Sequence, residues 1–359
     1  MALWLVGGGA ARAPAPATPG PQRSTQHDQA RARSQRVLDD AVGDLMARTP
    51  GCSAAVGVRG QVEWTGVAGV ADTATGAPIT TRTVFDIASV SKQFTATAAL
   101  LLIGDGKLAL GDPLSRHLPE LPAWAAGVTV EQLMHQTSGI PDYVGVLEGQ
   151  GFSSGDRTTE EQALQAVADI PRLDFAPGSQ FEYSNSNYLL LGEIVHRVAR
   201  VPLAQFLSAE IFRPLGLDMV LDPTGSLPAK AIAYEAYEKD GGGYRASISG
   251  WEQVGDGGIQ TTPSQLVVWG DNYRTGRVGG SELLEAQLAG AVPTGPDRYG
   301  AGIYLMADGS LDHDGIWSGF VTAFRVSKDR ATSVAVSCNT DKQDAEALAG
   351  ALAAVWVGP

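Results

Sequence analysis

The chain has 359 residues, 44% of them hydrophobic and 18% charged, with 26 basic residues against 39 acidic and a formal net charge of −13 at pH 7. Such a composition buries a real core and fits one large domain or two modest ones, while so acidic a surface argues against nucleic acid or an anionic membrane as the main partner. No apolar run approaches the ~18 residues that span a bilayer, and two cysteines (Cys52, Cys338) with five scattered histidines leave little for a structural zinc site.

Residues 1–28 read as a detachable tail, running from Met1-Ala-Leu-Trp-Leu-Val6 through Gly7-Gly8-Gly9 into a Pro/Ala stretch that cannot pack a core. Ala11-Arg12-Ala13 has the small residues of a signal-peptide cleavage site, but no positive charge precedes the apolar run. An unstructured segment or a misplaced start is the alternative. From about Asp28 to Arg48, Val37, Leu38, Val42, Leu45 and Met46 recur at helical spacing, and Pro50-Gly51 is expected to stop that helix. Residues 53–58 and 62–70 read as a hairpin turning at Arg59-Gly60-Gln61.

From about Val90 to Gly270 helical patterns dominate. Their starts are flagged by capping boxes at Thr129 with Gln132, Thr158 with Glu161, and Thr262 with Gln265, the last with Pro263 at the first helical position. Toward the C-terminus, residues 299–306, 320–326 and 332–338 alternate like strands, with turns at Asp308-Gly309 and Lys328-Asp329-Arg330, and a final helix spans about 344–355. Strands at both ends with helices between predict a discontinuous α/β unit, 29–85 plus 271–359, carrying an inserted and mostly helical lobe, 86–270.

Three constellations carry chemistry. In Ser89-Val90-Ser91-Lys92, a helix opening at Val90 sets Ser89 and Lys92 one turn apart on one face. A neutral lysine there can take the serine proton, and the helix N-terminus offers a backbone N–H to an oxyanion. With 23 serines and six lysines, about 0.4 matches to this spacing are expected by chance, so the motif alone is weak. Tyr183-Ser184-Asn185 offers a phenol, whose pKa a neighbouring ammonium lowers toward general-base use, and an amide able to donate and accept. A Tyr/Asn turn before the apolar helix 188–198 is the plainer reading. In His313-Asp314-Gly315, small residues let a substrate backbone approach a strand edge. The competing Lys239-Asp240-Gly241 sits in a polar glycine run and reads as an exposed loop.

Together with their surroundings, these elements resemble a known family. Phe85-Asp-Ile-Ala-Ser-Val-Ser-Lys-Gln-Phe94, Leu133-Met-His-Gln-Thr-Ser-Gly-Ile-Pro-Asp-Tyr143, Phe175-Ala-Pro-Gly178, Tyr183-Ser-Asn185 with Leu191-Gly-Glu193, and Gly255-Asp-Gly-Gly-Ile-Gln-Thr-Thr262 are similar to the serine β-lactamase and penicillin-binding-protein superfamily. The branch is class C, which holds class C β-lactamases, DD-peptidases, D-aminopeptidases and related esterases. The resemblance runs over residues 35–355. It implies an α/β fold of the α+β type, β-lactamase/transpeptidase-like, with an antiparallel sheet flanked by N- and C-terminal helices and the site in the cleft beside the inserted lobe.

Carried over, it makes Ser89 the acylated nucleophile, Lys92 its proton partner and Tyr183 the base or proton shuttle. Asn185, His313 and Gly315 become substrate-binding, and the Ser89 and Ile316 backbone N–H groups the oxyanion hole. No cofactor is implied. Histidine at 313, where class C β-lactamases have lysine, lowers the expectation of an efficient β-lactamase. A charged His313 binding a substrate carboxylate would give anionic substrates a pH limb near 6.5. The expected activity is a serine acyl-enzyme hydrolase of a peptide or amide, D-alanyl-D-alanine carboxypeptidase- or D-aminopeptidase-like. An esterase or transacylase is the alternative, and a β-lactamase or a penicilloyl-binding receptor comes behind. Small-molecule or short peptide and ester substrates are the implied partners, with the cell envelope or secretion the location the resemblance implies and the cytoplasm the alternative left open by the weak N-terminal signal. Strands beginning at Cys52 and ending at Cys338 are antiparallel neighbours in the family's sheet, so a disulfide is geometrically allowed and two buried thiols are the alternative. His135 reads as loop-fixing, His196 as a surface or core-edge residue, and Gly255–Gly258 as a loop bordering the cleft.

Overall fold

A computed structural model describes residues 21–43, 48–237 and 243–357. Its centre is an eight-stranded antiparallel sheet assembled from both ends of the chain. Strands β1 (Cys52–Val58) and β2 (Gln61–Ala68) join β3 (Val292–Pro293), β4 (Arg298–Tyr299), β5 (Tyr304–Leu305), β6 (Leu311–Trp317), β7 (Phe320–Val326) and β8 (Thr332–Cys338) in the order β3-β4-β5-β6-β7-β8-β1-β2. The β1–β2 turn places Arg59 and Gly60 at φ +50° and +76°, the pair of left-handed residues that matches strand twist in a two-residue hairpin.

Alternation sorts the sheet's faces. Ala54 and Val56 of β1 and Val334 and Val336 of β8 pack with Leu38 of α1 (Pro21–Val42) and Leu348 and Leu352 of α5 (Ala345–Trp356). The neighbouring Ala55 and Ala335 point the other way, into the larger core shared with Leu266, Val267 and Trp269 of α4 (Pro263–Gly270). That core continues into α2 (Lys92–Gly104), buried along most of its length, and α3 (Asn185–Ala199), whose Tyr188, Leu189, Leu190, Leu191, Ile194 and Val195 are fully buried. The middle of the chain also carries strands: Phe85–Asp86, Ile259–Thr261 and Val220–Leu221 form a small sheet, and Ala233–Tyr237 pairs with Gly243–Ser247.

Cys52 and Cys338 face each other in the β1–β8 register and are bonded, closing a sequence separation of 286 residues. No helix among the described residues is long and apolar enough to cross a membrane.

Several expectations shift. Helix α1 starts at Pro21, ahead of Asp28, because proline fits the first helical position and Gln, Arg and Ala sustain helix without an apolar stripe. It ends at Val42, where Gly43 at φ +79° donates back to the Asp39 carbonyl, well before Pro50-Gly51. Leu45 and Met46, residues 1–20 of the tail, and Lys239-Asp240-Gly241 lie outside the described residues. The run 299–306 is two short strands, since Gly302 turns the chain at φ +72° against the backbone of Lys92. His313 lies inside strand β6 rather than between strands. The box at Thr129 forms with Gln132, and Thr262 caps α4, but the second box is Thr159 with Gln162. Thr158 is drawn away to Gln253, whose Nε2 donates to its Oγ1 at 2.8 Å.

Candidate active site

The turn into α2 positions Ser89, the candidate nucleophile. Ala88 sits at φ +46°, costly for a residue with a Cβ, and is held there by Asp86, whose Oδ1 accepts from the Ala88 N–H at 2.8 Å. Asp86 is itself fixed by Gln260 Nε2, also at 2.8 Å. A 3-10 turn, Ala88–Ser91, then feeds α2 and leaves Ser89 half-exposed at the floor of an open cleft of about 480 Å³. Ser91, two residues on, is buried and accepts from the Ile259 N–H, so its hydroxyl is spent inside the protein.

Lys92 is fully buried. Its Nζ donates to Ser89 Oγ at 2.9 Å, to Asn185 Oδ1 at 2.8 Å and to the Asp256 carbonyl at 2.7 Å, which uses all three of its protons. Burial pushes the ammonium down to about 8, against the upward pull of Asp256, Asp142 and Asp314. About a tenth of the lysine is then neutral at pH 7, and a neutral amine within hydrogen-bond reach of a serine hydroxyl can accept its proton.

Tyr183 lies beneath the same ammonium, with Nζ 4.9 Å from its ring centroid. Its hydroxyl is buried without a hydrogen bond of normal geometry, although it is near enough to Ser89 to be drawn down by it. Burial dominates and holds the phenol well above its ordinary range. The sequence-based expectation of a lowered phenol is therefore corrected: the loss of water, reinforced by Tyr299, Tyr304 and Asp314, raises it, and only the contact with Ser89 opposes. A neutral phenol can relay a proton but does not start a reaction as an anion.

Asn185 opens α3 and borders the cleft. Its Oδ1 accepts from Lys92, while its backbone N–H and Nδ2 both donate to Asp142 Oδ2 at 2.9 Å. One amide N–H and one lone pair stay available to a substrate. Asp142, which also caps the helix Tyr143–Gly149, is a brace that sequence reasoning assigned no role. Asp256 is another: besides its carbonyl on Lys92, its carboxylate accepts from the Tyr143 hydroxyl at 3.0 Å, on the cleft wall beside Trp251 and Trp317. Both aspartates stood in the motifs Ile140-Pro-Asp-Tyr143 and Gly255-Asp-Gly-Gly258, which was the only signal for them. The loop Gly255–Gly258 does border the cleft.

Strand β6 closes the other side. It pairs with β5 only through Leu311 and Asp312, so residues 313–317 have no strand neighbour on that edge. A Cβ on Gly315 would stand 2.4 Å from the Ile87 carbonyl and 2.8 Å from the Ser89 nitrogen. Gly315 thus lets β6 press against the turn that carries Ser89, a packing role that stands beside the expected substrate contact. Ile316 next to it is exposed and borders the cleft, beside Ser89.

His313 differs most from expectation. It is 1% exposed, with Nδ1 2.6 Å from the Asp314 carbonyl oxygen and Nε2 3.3 Å from the Tyr299 hydroxyl, ringed by Tyr183, Tyr299 and Tyr304. Burial pushes it down to about 4, with Asp314 opposing and Lys92 reinforcing. It is neutral at physiological pH and offers no charge to a substrate carboxylate. His135 is buried at the end of the helix Val130–Met134, beside Gly290, and His196 is half-exposed and paired with Glu193 at 3.1 Å.

A Beta-lactamase family model matches residues 38–355. A D-aminopeptidase of Gluconobacter oxydans (strain 621H) is 30% identical over 240 residues, covering 65% of this chain and 44% of that protein. Esterase EstB of Burkholderia gladioli is 35% identical over 199 residues, covering 52% of this chain and 50% of the esterase. The chain therefore spans half or less of these curated relatives. The octameric penicillin-binding protein homologue from Pyrococcus abyssi superposes over 91% of this chain and 77% of its own with a TM-score of 0.81 at 22% identity, a likeness of fold. Since the family model takes in the whole sheet, helices α2, α3 and α4 and every residue of the cleft described above, the chain belongs to the Beta-lactamase family.

Proposed function

We propose that the protein is a serine acyl-enzyme hydrolase of small amides and esters, with Ser89 as nucleophile. The observation that carries the reading is the buried Lys92 ammonium, 2.9 Å from Ser89 Oγ and pushed down to about 8. In the neutral form Lys92 takes the Ser89 proton as Oγ attacks the carbonyl carbon. The oxyanion forms against the Ser89 and Ile316 backbone N–H groups, at the helix start and the open edge of β6. As the C–N or C–O bond breaks, Tyr183 passes the proton from Lys92 to the leaving group, leaving an ester on Ser89. Water, deprotonated by the same pair, then cleaves that ester and regenerates the serine.

A neutral His313 favours leaving groups that carry no carboxylate. Within the class, D-amino acid amides and simple esters therefore come ahead of D-alanyl-D-alanine peptides and β-lactams, and the names of the two curated relatives point the same way. Transfer of the acyl group to an amine or alcohol is the same chemistry with another acceptor in place of water. A panel of a D-amino acid amide, a p-nitrophenyl ester, a D-alanyl-D-alanine peptide and a cephalosporin, read by turnover and by intact mass, tests the reading. Turnover of the amide or ester through a transient adduct is expected. A persistent adduct without turnover would make the protein a receptor, and neither adduct nor turnover would overturn the proposal.

A further inference from the structure

The cleft does not end at Trp317. A second cavity of about 750 Å³ adjoins it, sharing Asp86, Pro223 and Trp317 as walls. Its lining is largely apolar, with Leu227, Ile232, Ile248, Trp317 and Phe320 around it, and Ile248 stands 72% exposed at its rim. An exposed isoleucine beside an open, largely apolar cavity is surface that a ligand would cover.

One cation lies in this lining. Lys230 is half-buried, and its Nζ makes a single 3.3 Å bond to the Gly225 carbonyl. No carboxylate among the described residues forms an ion pair with it. Asp86 attracts it from a distance, but both Asp86 oxygens are engaged, by the Ala88 N–H and by Gln260. The backbone that presents Lys230 is held on both sides, since Val84 donates to the Ala229 carbonyl and accepts from the Ala231 N–H. Ala229, the residue before Lys230, sits at φ +61°, and Ser318 in the cavity lining at φ +47°. Non-glycine residues kept in that region mark positions the surrounding structure over-determines, and such positions cluster at ligand sites.

Which part of a substrate reaches this cavity follows from where protons go. A leaving group must depart beside its proton donor, and Tyr183 packs against His313 near the start of β6, whereas Trp317, at the other end of that strand, walls the second cavity. The far side of the cleft, beyond Trp317, is left for the acyl portion.

We propose, resting on the acyl-enzyme reading above, that this second cavity is an acyl-chain subsite whose Lys230 ammonium receives an anionic group, such as a carboxylate, at the far end of an apolar acyl chain. No new covalent step is involved. Lys230 acts on specificity, in acylation, and touches neither Ser89 nor its proton path.

Paired p-nitrophenyl esters test it: hexanoate against the adipate half-ester, and octanoate against the suberate half-ester, with acetate as a donor too short to reach the cavity. For the better-fitting pair, wild-type kcat/KM for the carboxylate-ended ester should exceed its methyl-ended match about tenfold, the size of one charge-assisted hydrogen bond. Lys230→Met should bring that ratio to about one, Lys230→Arg should keep it, and neither should change acetate turnover. Wild-type preference for the methyl-ended ester in both pairs, or a ratio unaltered in Lys230→Met, would overturn the subsite while leaving the acyl-enzyme reading standing on acetate. Absence of a Ser89 adduct with every ester would overturn the acyl-enzyme reading and the subsite with it.

Discussion

If neutral Lys92 is the group that accepts the Ser89 proton, acylation must follow its titration. With a pKa of about 8, about a tenth of the lysine is neutral at pH 7 and about nine tenths at pH 9. The acylation rate constant should therefore rise about tenfold across that interval and level off above it. An unburied lysine at 10.5 would be neutral a few hundred times less often at pH 7, and its limb would lie near pH 10. The assay is single-turnover acylation by a p-nitrophenyl ester, followed by p-nitrophenolate release and quenched intact mass from pH 6 to 10. The same titration leaves a mark on stability. Because the folded pKa is depressed below the unfolded one, the unfolded chain binds the extra proton between about pH 8 and 10.5, so stability rises with pH across that window. The gain approaches about 3 kcal/mol at the top, and the cost of burying the ammonium is carried in full below pH 8. In Lys92→Met the ammonium is gone but three acceptors lose their donor at about 1 kcal/mol each, so the net change near pH 7 is small. What disappears is the slope. An acylation limb near pH 10, a flat profile, or a stability slope that survives in Lys92→Met would each refute the reasoning.

Three further expectations come from the same geometry. His313, pushed down to about 4, is neutral above that range, so pH–rate profiles for matched anionic and neutral donors should show no separate limb near 6.5; a limb present only for the anionic donor would restore the charged role. Its folded pKa lies below the unfolded one, so its contribution is complete above about pH 6.5 and is lost as pH falls toward 4, a dependence that denaturation midpoints should show weakened in His313→Asn. Gly315→Ala should cut kcat/KM by about 100-fold or more through displacement of the Ser89 turn while the sheet stays folded by circular dichroism; near-normal activity would mean that β6 and the turn are not in register contact. Reducing the Cys52–Cys338 bond, or Cys52→Ser, should lower stability by about 2–5 kcal/mol in urea titrations, and two titratable thiols in unfolded, unreduced protein would contradict the bond.

How legible these features were depended on how local their causes are. The β1–β2 hairpin, the Thr129 box and the Cys-bearing strand ends are set by a few neighbouring residues, and the sequence reading placed them correctly or left the right alternative open. The second capping box was off by one residue because Thr158-Thr159-Glu160-Glu161-Gln162 holds two overlapping patterns, and a contact with Gln253, 95 residues away, decides between them. The start of α1 was missed because residues 21–30 lack an apolar stripe, and the contacts of His27 with Trp356 and Glu63 are distant in sequence. At the site, spacing put Ser89 and Lys92 within reach, but what tunes them is distant in sequence: Asn185 is 93 residues from Lys92, and the Asp256 carbonyl 164. The charges of His313 and Tyr183 were misjudged for the same reason. A reference pKa is a property of the residue, whereas its displacement is set by burial among Tyr299, Tyr304 and each other, which no local pattern records.

The central claim is that Ser89, and not Ser91 two residues further on, carries the acyl group. A substrate-trapped sample, quenched in acid, digested and mapped by tandem mass spectrometry, answers it directly. The adduct should localise to Ser89 and be absent, together with turnover, from Ser89→Ala, because Ser91 is buried with its hydroxyl accepting from the Ile259 N–H. An adduct on Ser91 or elsewhere, or turnover that persists in Ser89→Ala, would contradict the account.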